Sequence, residues 1–99
     1  VAETGTGGDD GRIIIIKRNG DKETVIRDLP SFFSPVNRDV SGPWRTFELP
    51  DQKIAVVIGE GPTPAFGRIM VFDFKGFRIG HSAPQTPSDA IKSIRQKLN

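Results

Sequence analysis

Cysteine and tyrosine are absent from the chain, and histidine, methionine and tryptophan occur once each. Without cysteine there is neither a disulfide nor a thiolate–metal site, so packing alone must hold 99 residues together. One domain of that size buries a modest core and is expected to be modestly stable. The single histidine, His81, has no spaced His/Asp/Glu companions with which to ligate a metal. No serine sits in a Gly-x-Ser-x-Gly elbow, and Asp9-Asp10, Asp39 and Asp51 read as solvated turn residues rather than an acid–base pair. The longest apolar runs, residues 13–16 and 54–58, are strand-sized and far from the roughly 18 residues of a membrane span. The chain opens on Val1 rather than Met, which reads as a processed or trimmed terminus without a leader.

Charge is present but uneven. The net value is +2, and residues 1–11 hold Glu3, Asp9 and Asp10 with no basic side chain. Residues 12–99 therefore carry 14 basic against nine acidic groups, +5 net, enough to attract a polyanion weakly. The opening VAETGTGGDDG has little to bury and is expected to be a flexible arm, with residues 12–99 as the single domain.

Strand signals dominate from Arg12 onward. Residues 12–18 and 21–29 flank Asn19-Gly20, a pair that favours a two-residue type I′ hairpin turn. That turn sets Ile13 opposite Ile26, Ile14 opposite Val25 and Ile16 opposite Glu23. The unbroken isoleucine run marks a central strand. Residues 30–43 form a Pro- and Ser-rich loop, and residues 44–49 and 53–58 pair around Pro50 as the first corner of a type I turn. The Gly-rich loop 59–67 is no phosphate cradle, because Pro62 and Pro64 remove two N–H donors and no helix follows.

IMVFDFKGFRIG, residues 69–80, contains Lys75-Gly76-Phe77, which resembles the opening of the signature of RNA-recognition motifs. Arg78 and Ile79 depart from that signature, and residues 12–18 supply no aromatic partner strand. With Lys75-Gly76 as a turn, Met70, Phe72, Phe74, Phe77 and Ile79 share one face. That face is expected to be core. Its complement is a helix over 86–98, with Thr86 as N-cap, Pro87 at its first position and Asp89 at its third. Ile91, Ile94 and Leu98 would line its apolar stripe, with Lys92, Arg95 and Lys97 outside it. A hairpin followed by a C-terminal helix resembles the end of thioredoxin-like folds. The resemblance covers only the last third and, without cysteine, implies no redox activity.

The sequence therefore predicts an α+β fold: a mostly antiparallel sheet of five or six strands with one C-terminal amphipathic helix on one face. Barrel-like closure by that helix is the alternative. The function expected is that of a non-enzymatic binding or assembly module without cofactor or metal, docking on a protein partner. Its anchors would be the loop aromatics and arginines Phe32, Phe33, Arg38, Trp44, Arg45 and Phe66. The alternative is a single-stranded nucleic-acid binder using Lys17, Arg18, Lys22, Lys75, Arg78 and the basic helix face. A third reading is a small-molecule cavity between sheet and helix.

Overall fold

The computed structural model describes residues 1–16, 18–73 and 84–96. The hairpin expected around Lys75-Gly76, with Phe74, Phe77, Arg78 and Ile79, lies outside them. So do Lys17, His81, Lys97 and Leu98.

Among the described residues nine strands succeed one another in chain order: β1 (Ala2–Glu3), β2 (Gly11–Ile16), β3 (Lys22–Leu29), β4 (Phe32–Phe33), β5 (Val40–Ser41), β6 (Pro43–Leu49), β7 (Lys53–Ile58), β8 (Arg68–Asp73) and β9 (Lys92–Arg95). They divide into an antiparallel sheet β1-β2-β3, a short β4-β5 ribbon and an antiparallel sheet β6-β7-β8-β9. Among the described residues there is no α-helix, only a 3-10 turn at Pro87–Asp89. The α+β expectation is thus corrected to an all-β arrangement, and the single sheet of five or six strands to three separate sheets.

The helix failed for a physical reason that its own start signal concealed. The Thr86 N–H donates to the Asp89 carboxylate at 2.9 Å, as an N-terminal cap should. The coil then stops, because Ala90 is extended (φ −60°, ψ 127°) and the Ile91 N–H donates to the Val71 carbonyl at 2.9 Å. Lys92–Arg95 lie along the open edge of β8, pairing Val71↔Lys92 through Arg68↔Arg95. A lone helix of about 12 residues is marginal in water, whereas a strand edge offers ready backbone partners. The edge won.

Opposite the apolar face of β7-β8, the place expected for the helix is taken by the β2-β3 sheet. Ile13, Val25, Ile26 and Leu29 join Val56, Ile58, Met70 and Phe72 in one core cluster, with Phe66 from the 59–67 loop. Full burial of each such side chain stabilises by about 1.5–3 kcal/mol. Met70 and Phe72 are buried while Val71 and Asp73 are not, so the alternation read from residues 70–73 holds.

The first hairpin forms with a shifted register. Ile13 faces Ile26 as expected, but Ile14 faces Thr24, Ile15 faces Glu23 and Ile16 faces Lys22. A β-bulge between Ile13 and Ile14 absorbs the slip. Only Gly20 takes a positive φ (91°); Asn19 instead accepts the Asp21 N–H on its side-chain oxygen at 2.9 Å. An Asx turn has replaced the type I′ turn. In the β6–β7 connection Asp51 and Gln52 are both left-handed (φ 62° and 58°), so the type I geometry expected after Pro50 is not adopted. β7 is interior, as its unbroken apolar run requires: residues 55–58 are all buried.

Of residues 1–10, Ala2 and Glu3 (β1) lie along β2. Ala2 pairs with Ile13 and Glu3 with Arg12, whose side chains form an ion pair. The Thr4 hydroxyl donates to the Pro43 carbonyl at 3.1 Å. Downstream, the Asp10 carboxylate accepts from the Thr6 N–H at 2.8 Å and from the Thr6 hydroxyl at 2.5 Å. Those bonds, with a backbone bond from Gly8, hold the Asp10 carboxyl at about 2, below its ordinary 3.8. A depressed carboxylate contributes to folding above the unfolded value and loses that contribution as pH falls through the folded one. The 5–10 loop should therefore loosen between about pH 4 and pH 2, with the Asp10 carboxyl and the Thr6 amide titrating together by NMR. A midpoint at the ordinary value would mean the Thr6 bonds are not kept in solution.

Candidate interaction surface

The outer face of the β6-β7-β8-β9 sheet is built by strand alternation. If Val56, Ile58, Met70 and Phe72 face the core, their neighbours Ala55, Val57, Ile69 and Val71 face away from it. Register adds Arg45, Phe47 and Leu49 from β6, and Lys92 and Ile94 from β9, to this outward face. Phe47 (45%), Leu49 (37%) and Ile94 (47%) remain exposed, while Ala55 and Val57 on β7 are buried between them.

Trp44 is brought to the same edge by a local irregularity. The register shifts between Pro43 and Arg45, leaving Trp44 as the extra residue of a bulge. Pro43 fills the inward position and is fully buried, while the Trp44 indole stands 58% exposed beside Gly59. The Arg45 guanidinium lies 6.0 Å from the Trp44 ring centroid and 4.8 Å from that of Phe47. A cation held over two ring faces is a cation–π arrangement, worth about 0.5–1 kcal/mol per contact at an exposed site.

The six expected anchors are not gathered into one site. Trp44 and Arg45 are adjacent and exposed. Phe66 is 6% exposed and belongs to the core, and Phe32 is half-buried against that core. Their rings meet edge to face, with centroids 6.4 Å apart and planes at 76°. Both pack on the core cluster, Phe66 from the 59–67 loop and Phe32 from β4. Phe33 is exposed on β4, and Arg38 is exposed in the turn closed by Arg38 N–H to Ser34 O at 2.8 Å. Among the described residues no ring or cation contact joins either to Trp44.

Phe47 is not among the anchors expected from sequence. It stands two residues after Arg45 on a strand, and that i, i+2 spacing is the signal that places them side by side.

Of the nucleic-acid residues, Arg18 and Lys22 are exposed on the first hairpin, and Lys17, Lys75 and Arg78 are outside the described residues. The basic helix face does not exist: on a strand, Lys92 and Arg95 fall on opposite faces. The cavity expected between sheet and helix is likewise replaced. A cleft of about 270 Å³ lies between β2 and the β6–β7 end, lined by Ile13, Ile15, Thr46, Glu48, Lys53 and Ile54 among others. Among the described residues no cluster of three or more His, Cys, Asp or Glu could hold a metal, and no helix is long and apolar enough to cross a membrane.

Comparison with family models, with curated proteins and with solved structures finds no match to this chain.

Proposed function

We propose that this domain is a non-enzymatic protein-binding module whose contact surface is centred on Trp44, Arg45 and Phe47. The observation that carries this reading is the Arg45 guanidinium held over two rings that both remain about half exposed. Trp and Arg are the residue types that most often dominate protein interfaces. Their mutual stacking settles side-chain conformation before a partner arrives, which lowers the ordering entropy of binding. The half-buried Ile69 and Val71 and the exposed Leu49 and Ile94 extend the apolar area around the cluster.

The test compares partner capture by the domain and by two variants, with titration of the purified partner as the second stage. Trp44→Ala should weaken binding by about 2 kcal/mol or more, roughly thirtyfold. Stability should change by less than about 0.5 kcal/mol, since the indole is on the surface. Val36→Ser, at an apolar residue 93% exposed, should leave binding intact. Equal binding by Trp44→Ala and Val36→Ser would remove the cluster from the interface, and a partner that proves to be single-stranded nucleic acid would replace the reading.

A further inference from the structure

We infer that the outer edge of β9 takes an extended acidic segment of a partner protein as an added strand. This names the chemistry of the partner in the binding-module reading and rests on that reading only for the kind of partner. The Trp44 surface lies on β6, at the opposite edge of the sheet.

Among the described residues β9 ends the strand order of its sheet, and all four of its residues are exposed. An edge strand presents unpaired N–H and C=O groups on its free side, a template for another chain. The charge on this edge is basic, with Lys92 and Arg95 both exposed. Arg95 lies directly opposite Arg68 on β8, and like charges at such cross-strand positions repel. Arg68 donates to the Pro64 carbonyl, and its guanidinium lies 3.4 Å from the Ser93 hydroxyl. Among the described residues neither it nor Arg95 nor Lys92 has an acidic partner. Glu60 approaches Gly67 without an ion pair to either arginine, and the Asp89 carboxylate is taken by the Thr86 N–H.

That charge decides between occupants. Two copies of β9 paired antiparallel about their centre would set Lys92 of each against Arg95 of the other, which is unfavourable twice over. Like charges thus disfavour a second copy in that register, whereas an acidic segment gains from both positions. An incoming antiparallel strand with an acidic residue opposite Arg95, an apolar one opposite Ile94, a small polar one opposite Ser93 and an acidic one opposite Lys92 satisfies every position. Its first carboxylate would also relieve the Arg68–Arg95 repulsion, and its apolar side chain would cover the exposed Ile94.

The experiment uses the isotope-labelled domain and two capped octapeptides, one with Glu-Val-Thr-Glu at its centre and one with Lys in place of both Glu. The acidic peptide should shift the amides of Lys92–Arg95 and slow their hydrogen exchange. The basic peptide should bind at least about tenfold more weakly, since two cross-strand attractions become repulsions. Lys92→Glu/Arg95→Glu should reverse that preference, and the neutral Lys92→Gln/Arg95→Gln should abolish it, each with the remaining amide spectrum unchanged. Equal binding of the two peptides, shifts confined to other strands, dimers forming through β9, or displacement of the acidic peptide from β9 by single-stranded DNA would each overturn the inference. Trp44→Ala separates the two readings: it should leave binding of the short peptide at β9 intact while weakening the natural partner. A natural partner indifferent to Trp44→Ala would remove the Trp44 surface and leave the β9 edge standing.

Discussion

Phe72→Ala should bring the domain close to unfolding. The ring is fully buried, at 0% exposure, and belongs to the cluster where β7-β8 meets β2-β3. Removing a buried phenyl group loses its transfer free energy and leaves a cavity that the two sheets cannot collapse to fill, together about 3–5 kcal/mol. A small domain has about 5–15 kcal/mol in all. Denaturant unfolding of the variant should therefore show a midpoint far below that of the parent, with a similar slope. A loss below about 1 kcal/mol would place the ring outside the core and return residues 69–80 to the aromatic-platform reading.

The second large effect comes from adding a single carbon. At Gly11 a methyl group would lie 2.5 Å from the Pro43 Cδ, 2.7 Å from its Cγ and 3.3 Å from the Leu29 Cβ. Pro43 is fully buried and its ring cannot swing aside, so β2 and β6 would have to separate where the two larger sheets join. Overpacking of this kind costs about 1–3 kcal/mol, and Gly11→Val should exceed Gly11→Ala. Gly8→Ala is the control. Nothing lies within 4 Å of its added carbon, and stability should stay within about 0.5 kcal/mol of the parent. Equal unfolding midpoints for Gly11→Ala and Gly8→Ala would show that the sheets do not meet at Pro43.

What could be read beforehand divides along physical lines. The strands over 12–16, 22–29, 44–49, 53–58 and 68–73 were legible because apolar patterning and β-branched residues are local signals. So was the interior position of β7, from its unbroken apolar run, and the inward facing of Met70 and Phe72, from alternation. The C-terminal strand was not legible. Thr86, Pro87 and Asp89 do begin a turn, and Ile91 and Ile94 fit a helical stripe, but the free edge of β8 is a long-range partner that no local pattern announces. Register in the first hairpin failed at its turn: the Asx geometry at Asn19 sets Ile14–Ile16 one residue away from the expected partners, and the irregularity between Ile13 and Ile14 restores the pairing of Ile13 with Ile26. Two of the three side chains at the centre of the candidate surface were legible. Trp44 and Arg45 stood out as large residues beside a Pro-rich loop, whereas the burial of Phe66 depends on how residues 59–67 fold onto the core cluster. Gly61 reflects that folding, since a side chain there would run into the Phe66 ring.

Trp44 is the only tryptophan, so its fluorescence reports on the proposed contact surface without any label. In the free domain its emission should be that of a solvent-exposed indole and acrylamide should quench it readily, in keeping with 58% exposure. On saturation with the purified partner the emission should shift to the blue and the quenching should fall, as the ring passes into a desolvated contact. Emission and quenching unchanged at full occupancy of the partner would contradict the account, because the Trp44–Arg45–Phe47 cluster would then lie outside the interface.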